Sequence, residues 1–476
     1  MDWIFLLLGS VYFVEIFIRL NSLSHINSLG TILNRVTRVI RSSRISDHWK
    51  ERVLPRYSLA LFKQSLLIFA VLVASFIIFP VLGLVSELLN GQFIALSTSA
   101  LGVTASTCIA LTYATLRSKA SKDRNAYSFG SKILHHISLG APFVGEALFD
   151  LEKSLYASKS PEVSADKHVF VCGLARAGTT VLMRRLYESE QFCSLTYRDM
   201  PFVLAPNLWR KSSKHFWKSK DTQERAHGDG LMVNYDSPEA LEEVFWKTQC
   251  GSDYIKEDCL VPMSADEGVL QDFRTYVSLV MRECTGKRYL SKNNNNILRL
   301  HSIIEAFPEA TILIPFRKPE QQAYSLLHQH QRFTELHSTD HFASKYMTWL
   351  VHHEFGADHR PFRFEQSDPQ AGDPATFEYW LNTWVNTYYS ILDRLPPQAL
   401  LVCYETLCSE SEMVWKNLAE RIDVAPDKGD LTFSGAFHEI NYSSPTDLLE
   451  RANQLYSHMV SRAIGGGPGL SSQGHQ

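Results

Sequence analysis

The residues best suited to chemistry in this 476-residue chain form the segment Gly173-Leu174-Ala175-Arg176-Ala177-Gly178-Thr179-Thr180. Ahead of it stands the apolar run His168–Cys172, rich in β-branched and aromatic residues, which predicts a strand buried on both faces. Behind it, the two threonines can open a helix that continues through Met183, Arg184, Arg185 and Leu186. A strand feeding a glycine-bracketed loop into a helix N-terminus aims backbone N–H groups, and the positive end of the helix dipole, at one point. Such a cradle suits a phosphate. Gly173 and Gly178 have the spacing of a nucleotide P-loop, but Thr179 stands where that loop carries its lysine. A nucleoside triphosphatase uses the lysine on its β- and γ-phosphates. This loop therefore suits a 5′-phosphate without a triphosphate tail. An ordinary strand-loop-helix joint with small residues is the plain alternative.

A second constellation repeats the logic. In Thr311-Ile312-Leu313-Ile314-Pro315-Phe316-Arg317-Lys318-Pro319 an apolar strand ends in charge, at the edge of a parallel sheet where ligands collect. Arg317 leaves the strand, Pro319 starts a helix, and Ser325 lies two turns inside it. An arginine and a helix-borne hydroxyl can converge on a second phosphate through charge-assisted hydrogen bonds; alone, the segment is also an ordinary capped helix.

Together the two elements resemble the sulfotransferases that use PAPS (3′-phosphoadenosine 5′-phosphosulfate). That family opens with a strand and a Gly-x-Pro-Arg-Ser-Gly-Thr-Thr loop for the 5′-phosphosulfate. A later strand ends in Arg-x-Pro, with a serine eight residues after the arginine, for the 3′-phosphate; Arg317 and Ser325 keep that spacing. Tyr404-Glu405-Thr406-Leu407 resembles the family's late Tyr-Glu-Asp-Leu strand end. Thr196-Tyr197-Arg198-Asp199-Met200-Pro201-Phe202, Ala226-His227-Gly228-Asp229-Gly230 and Ser291-Lys292-Asn293-Asn294-Asn295-Asn296 are similar to a bacterial branch. The resemblance spans roughly residues 168–425. Two positions depart from it: Ala175 replaces the usual proline and Ala177 the usual serine. No backbone N–H is lost, but one side-chain hydroxyl is.

The resemblance implies PAPS as sulfuryl donor, PAP as product and no metal. Gly173, Arg176, Ala177, Gly178, Thr179 and Thr180 would hold the 5′-phosphate, and Arg317 with Ser325 the 3′-phosphate. Arg176 is the leading electrophile, by its place in the loop and by likeness to tyrosylprotein sulfotransferases. Lys292 stands where the family has a lysine near the sulfate; a solvated lysine beside an asparagine run is its bland reading. For the base, Asp199 is the expectation and His227 the rival, though Asp199 beside Arg198 also reads as an ion pair. His352, His353, Glu354 and His359 invite a metal, but adjacent histidines chelate poorly and sulfuryl transfer, an in-line displacement close to phosphoryl transfer, needs none.

These residues need an α/β scaffold to meet: a P-loop-like parallel sheet flanked by helices, preceded by an all-α transmembrane region. Strands are expected at His168–Cys172, Ser194–Tyr197, Thr311–Phe316 and Leu400–Tyr404. Helices are expected at Pro238–Thr248, Phe273–Glu283, Leu298–Ala306 and Pro319–His330. A later helix opens at Asp373 and Pro374, with an aromatic stripe from Phe377 to Tyr388 that reads as core.

The organisation expected is a membrane region over 1–124, a connector over 125–166, a catalytic domain over 167–464 and a disordered tail over 465–476. Three apolar runs, about 3–20, 65–84 and 93–116, read as spans. Glu15 in the first is costly at mid-membrane and should face another helix or lie near an end. Ser97, Thr98, Ser99, Thr104, Ser106 and Thr107 in the third suit helix–helix packing in lipid. Lysines and arginines crowd the loops before residue 65 and after 116, whereas Ser86–Gln92 has none; the positive-inside rule puts the catalytic domain on the cytoplasmic side of an integral membrane protein. The connector's Ile133–Leu155 either lies along the membrane surface or docks on the soluble domain.

A net charge of −3 gives no reason to expect nucleic acid as a partner. The eight scattered cysteines without C-x-x-C read as reduced cytosolic thiols. The expected reaction moves a sulfuryl group to a hydroxyl at the cytoplasmic membrane face, the tether favouring a lipid or lipid-linked glycan acceptor. The alternatives are a P-loop kinase or nucleotidase on a membrane substrate and a non-catalytic nucleotide-binding membrane protein.

Overall fold

The computed structural model describes residues 2–20, scattered positions between 25 and 39, 47–120, 129–213, 223–224, 232–233, 237–365, 372–425, 438–440, 442 and 445–465. The chain divides into two units, Met1–Gly145 and Glu146–Gln476.

The first unit is helical, with Asp2–Arg19, Asp47–Phe76, Ile78–Leu88, Phe93–Thr98, Ala100–Ala120 and Phe129–Gly140. Among the described residues one helix, Leu54–Leu88, is long and apolar enough to cross a membrane, and Ala100–Tyr113 is a shorter apolar helix. The run expected at 93–116 is divided: Ser99 takes an extended backbone (φ −70°, ψ 155°) and its hydroxyl accepts from Gly102 N at 3.0 Å, capping the next helix. Glu15 does face another helix, accepting from Tyr113 Oη at 2.6 Å. The hydroxyls of Ser97, Thr98, Thr104 and Thr107 bond to carbonyls of their own helices rather than to a neighbour.

In the second unit a parallel sheet of five strands has the order β2-β5-β1-β6-β7. The strands are β1 (Val169–Val171), β2 (Phe192–Cys193), β5 (Arg288–Lys292), β6 (Thr311–Phe316) and β7 (Ala399–Cys403); β3 (Gln223–Glu224) and β4 (Met232–Val233) form a separate antiparallel pair. β1 lies at the centre, buried along its whole length. The chain leaves it first toward β2 and β5, then crosses to β6 and β7 on the other side. The C-terminal ends of β1, β5 and β6 therefore frame a topological switch point, where α/β folds bind ligands. Val169, Val171, Leu182, Met183, Leu186, Leu290, Leu313 and Val402 form one apolar cluster under this edge.

Several elements differ from expectation. β2 falls at Phe192–Cys193, before the expected 194–197, because Thr196 instead opens a short 3₁₀ turn, Tyr197–Asp199. β5 was not among the expected strands; its polar ends, Arg288 and Lys292, mask a buried centre. The late helix starts at Phe377 with Thr376 as its cap, while Asp373 caps the preceding turn through Ala375 N at 2.9 Å. The expected helix at 238–248 instead spans Glu243–Tyr254. From Glu146 onward the connector is part of the second unit. Phe149 meets Phe245 and Tyr276 at ring distances of 5.8 and 6.1 Å, and buried Glu152 accepts from Asn207 N and Nδ2.

The expectation that all eight thiols are reduced is corrected. Cys193, ending β2, and Cys284, just past the helix Glu267–Met281, form a disulfide; Cys108, Cys172, Cys250, Cys259, Cys403 and Cys408 are free.

Candidate active site

β1 ends at Val171, which pairs with Lys292 on β5 and Leu313 on β6. The chain then turns at Gly173, whose φ is 151° and where a Cβ would lie 3.1 Å from the Pro315 carbonyl oxygen. It enters the helix Thr179–Glu188 through Gly178, with φ 90° and ψ 11°. A Cβ on Gly178 would stand 2.7 Å from the Tyr404 ring, so the position takes glycine for both its backbone and its space. Gly178 caps the helix without a side chain, the usual construction of a phosphate-binding helix start. Between the glycines Arg176 also has a positive φ, 69°. For a residue with a side chain that conformation costs about 1–2 kcal/mol, a strain that clusters at ligand clamps.

Gly173, Arg176, Ala177, Gly178, Thr179 and Thr180 thus lie on one turn at the end of β1, and Arg317 and Ser325 come to meet it. Arg176 Nε donates to Ser325 Oγ at 3.0 Å. Arg317 is buried beside the end of β6, with its guanidinium 5.0 Å from the Tyr404 ring centre, the same ring that packs on Gly178. Its Nη2 donates to Gln321 at 3.3 Å, and its Nε lies 3.9 Å from a Glu405 carboxylate oxygen. Glu405 also accepts from Lys318 N at 2.9 Å and Tyr456 Oη at 3.0 Å, fixing the turn after β7 against the turn after β6. Burial pushes the Tyr404 hydroxyl up to about 12, so it stays neutral beside the guanidinium.

Lys292 is not a solvated surface residue: it is 8 % exposed, and Asn293, Asn294, Asn295 and Asn296 are all buried. The asparagines tie the end of β5 to two elements. Asn293 and Asn296 donate to Glu243 (2.6 Å) and Glu242 (3.1 Å), and Asn294 and Asn295 donate to Glu354 (3.0 Å) and the Val351 carbonyl (3.1 Å). Burial alone would raise the Glu354 pKa. The charge and hydrogen bond of His352, the charge of Lys292 and the Asn294 amide overcome it and hold the carboxyl far below the usual range.

Asp199, the expected base, has other work. It is 0 % exposed; one oxygen accepts from Thr196 N at 2.8 Å, closing a capping box, and the other accepts from Arg210 Nε at 2.8 Å. An ion pair was the competing reading, and the partner is Arg210 from the helix Pro206–Ser213 rather than adjacent Arg198. His227 lies outside the described residues. Among the described residues no group of three or more His, Cys, Asp or Glu side chains is placed to hold a metal.

Sequence reasoning missed Gln322. Fully buried, it donates from Nε2 to the loop carbonyls of Leu174 (3.3 Å) and Ala175 (2.9 Å), while Oε1 accepts from Arg317 N (3.3 Å) and Trp384 Nε1 (3.0 Å). One amide thereby joins the turn after β1 to the turn after β6. Its signal was a glutamine at helical spacing among the buried Ala323, Leu326, Leu327 and Phe333 of the helix Pro319–Thr339, a face that also buries Gln329 and His337.

Residues 168–428 match the model of the sulfotransferase family. No curated protein matches the chain. Among solved structures, the chain is similar to sulfotransferase STF1 from Mycobacterium tuberculosis H37Rv, with 14 % identity, 67 % of this chain and 78 % of that one covered, and a TM-score of 0.38. It is also similar to a sulfotransferase from Alicyclobacillus acidocaldarius, at 16 % identity, with 63 % and 94 % covered and a TM-score of 0.33. Sulfotransferase STF9 from Mycobacterium avium matches at 13 % identity, with 67 % and 75 % covered and a TM-score of 0.34. With more than half of its length in the family match, and a parallel sheet whose central strand opens into a glycine-bracketed turn, this chain belongs to the sulfotransferase family.

Proposed function

We propose that the chain moves a sulfuryl group from PAPS to a hydroxyl of a lipid or lipid-linked glycan at the cytoplasmic face of a membrane. The observation that carries the donor is the convergence of two anion-binding turns on shared residues: Arg176 bonds Ser325, and Tyr404 packs on both Gly178 and Arg317. A nucleotide with phosphates at its 5′ and 3′ positions fits two such turns; a triphosphate has no lysine to meet it at Thr179.

The residue roles follow from position. The backbone N–H groups of 176–180 and the hydroxyls of Thr179 and Thr180 hold the 5′-phosphate, and Arg317 with Ser325 holds the 3′-phosphate. Arg176 and Lys292, at the ends of neighbouring strands, stabilise charge that builds on the leaving phosphate and the transferring oxygens. Arg176 is already held by Ser325 at 3.0 Å, and Lys292 is buried at the end of β5, so both are positioned in advance.

For the membrane setting, the support is the apolar Leu54–Leu88 helix and the charge asymmetry of the loops. Asp2 adds to it: its carboxylate accepts from Ser86 Oγ (2.7 Å) and Gln92 N (3.0 Å), so the chain's start and the short 86–92 connection share one end of the helical unit. The Cys193–Cys284 bond favours an oxidising compartment instead.

Calorimetric titration of the detergent-solubilised chain with PAP tests the donor assignment. Arg317→Ala is expected to weaken PAP about 10- to 100-fold, the size of a charge-assisted hydrogen bond, and to change adenosine 5′-phosphate binding little. Absence of PAP binding by the unaltered chain overturns the proposal; magnesium-dependent ATP binding would favour the kinase alternative.

A further inference from the structure

With Asp199 held by its cap and its arginine, the acceptor's proton needs another destination. The segment Val351–Arg360 supplies one. Val351 has φ 57°, a left-handed backbone that is rare for a β-branched residue, and it is held there from the β5 side by the Asn295 amide on its carbonyl. The following residue, His352, keeps 26 % of its side chain exposed and places Nδ1 3.5 Å from Glu354 Oε2. Glu354 is in turn fixed by Asn294 Nδ2 at 3.0 Å and feels the charge of Lys292. Glu354 also lines a small cavity with Leu174 of the phosphate loop and with Leu326, next to Ser325. The far side of the segment is anchored by other histidines: Gly356 N donates to His330 Nδ1 (3.3 Å) and Ala357 N to His337 Nδ1 (3.2 Å). Its neighbour His353 is 2 % exposed and tied to Asp358. His352 is therefore the histidine of this segment that combines solvent access with a carboxylate partner, and that partner bonds Asn294, two residues past Lys292; His359, which lines the same small cavity as Glu354, is taken up by the His353 carbonyl and the Tyr379 hydroxyl.

We propose that His352, oriented by Glu354, is the general base of the transfer, resting on the sulfotransferase reading above. Glu354 holds the Nδ1–H tautomer and so leaves Nε2 as the ring's acceptor, while Asn294, Asn295 and the strained Val351 fix the pair against the end of β5. As the acceptor oxygen bonds to sulfur, its proton passes to His352 Nε2. The bond between sulfur and the bridging oxygen of the 5′-phosphate breaks, and its electron pair stays on that phosphate. The imidazolium left behind stands beside the Glu354 carboxylate, and it returns its proton to solvent. His352 is the catalytic residue; Glu354 is a positioning residue.

The test uses the full chain in detergent with three readouts. PAP affinity is measured by calorimetry. PAP release from radiolabelled PAPS is followed across pH, with lipid extract of the host membrane and with water alone as acceptors. Carbethoxylation of His352 by diethylpyrocarbonate is followed by mass spectrometry across pH. His352→Gln should bind PAP within about twofold of the unaltered chain yet release PAP at least about 100-fold more slowly, the usual contribution of a general base. Glu354→Gln should move the acid limb of the rate profile and the pH dependence of His352 carbethoxylation by the same amount; a glutamate beside a non-catalytic histidine would alter the carbethoxylation alone and leave the rate limb in place. His352→Gln activity within threefold of the unaltered chain overturns the proposal, and so does a carbethoxylation midpoint unmoved by Glu354→Gln. Loss of PAP binding by the unaltered chain removes the donor reading instead, which the carbethoxylation result does not depend on.

Discussion

Replacing Gln322 tests the claim that one buried amide sets the geometry of both phosphate turns. In Gln322→Leu the side chain keeps its bulk but loses every polar contact. The Ala175 carbonyl (2.9 Å) and the Trp384 indole N–H (3.0 Å) lose their good partners, and the Leu174 carbonyl and Arg317 N–H lose longer ones at 3.3 Å. A buried polar group left without a partner costs about 1–3 kcal/mol. Two such groups at mid-range give about 4 kcal/mol, and burying leucine in place of an amide returns roughly 1 kcal/mol, so the net loss is about 3 kcal/mol. At roughly 2 °C per kcal/mol for a domain of this size, thermal unfolding of the full chain should start about 6 °C lower. The loop would also cease to be held open, and PAP affinity should fall about tenfold, near 1.4 kcal/mol. Gln322→Glu sharpens the test, because it keeps the acceptor for Trp384 and Arg317 but turns a charge on the two loop carbonyls. It should therefore damage PAP binding at least as much as Gln322→Leu while sparing more stability. If both variants unfold within 1 °C of the unaltered chain and bind PAP equally well, Gln322 does not organise the site and the reasoning fails.

Gly178→Ala combines a forbidden backbone with a Cβ 2.7 Å from the Tyr404 ring; PAP binding measured by calorimetry should fall at least about tenfold, from roughly 1–2 kcal/mol of left-handed strain alone. Acid should destabilise the second unit before its carboxylates titrate. Burial holds His168 and His359 near about 4, and His168 must be neutral to accept from Tyr289 N at 3.0 Å while bonding the Val163 carbonyl at 2.9 Å. The unfolded chain protonates these rings near 6.5 and the folded chain does not, so stability is complete above that pH and declines as pH falls. Between pH 6.5 and 5 the loss should be about 2 kcal/mol per histidine, read as a falling unfolding midpoint; a flat profile there would contradict both assignments. Denatured without reductant, the chain should take up iodoacetamide on the six free cysteines only, and reduction should open Cys193 and Cys284. Eight modifications before reduction would restore the reading of fully reduced thiols.

The two turns proposed to hold the donor were legible as turns because each is local in the chain. A phosphate cradle is built from consecutive backbone groups, so Gly173, Gly178 and the two threonines announce it by spacing, and Arg317 and Ser325 need only a strand and two helical turns between them. The scaffold was legible where strands are apolar throughout, as β1, β6 and β7 are. β5 escaped because Arg288 and Lys292 sit at its ends, and the late helix began after its expected cap because the Asp373 side chain closes a turn first. Asp199 misled for a physical reason: a carboxylate three residues after a threonine is also half of a capping box, and the arginine that completes its burial is eleven residues further on.

The acceptor end is assembled by contacts of long range, which no spacing records. Asn294 and Glu354 are 60 residues apart, and Asn295 and Val351 are 56. In sequence the asparagine run looks like solvated filler and the His-His-Glu group like a poor metal site. Folded, each asparagine satisfies a different buried partner, and two of them hold one strap against the end of β5. A buried amide has four hydrogen-bonding positions and destabilises the fold if they go unmet, so four in a row are tolerated only where several elements converge on them. That convergence is what sets Lys292, Glu354 and His352 in one neighbourhood. It also explains why the base, unlike the phosphate loop, had to be found from the fold: the loop carries its own geometry, whereas the base borrows its geometry from β5.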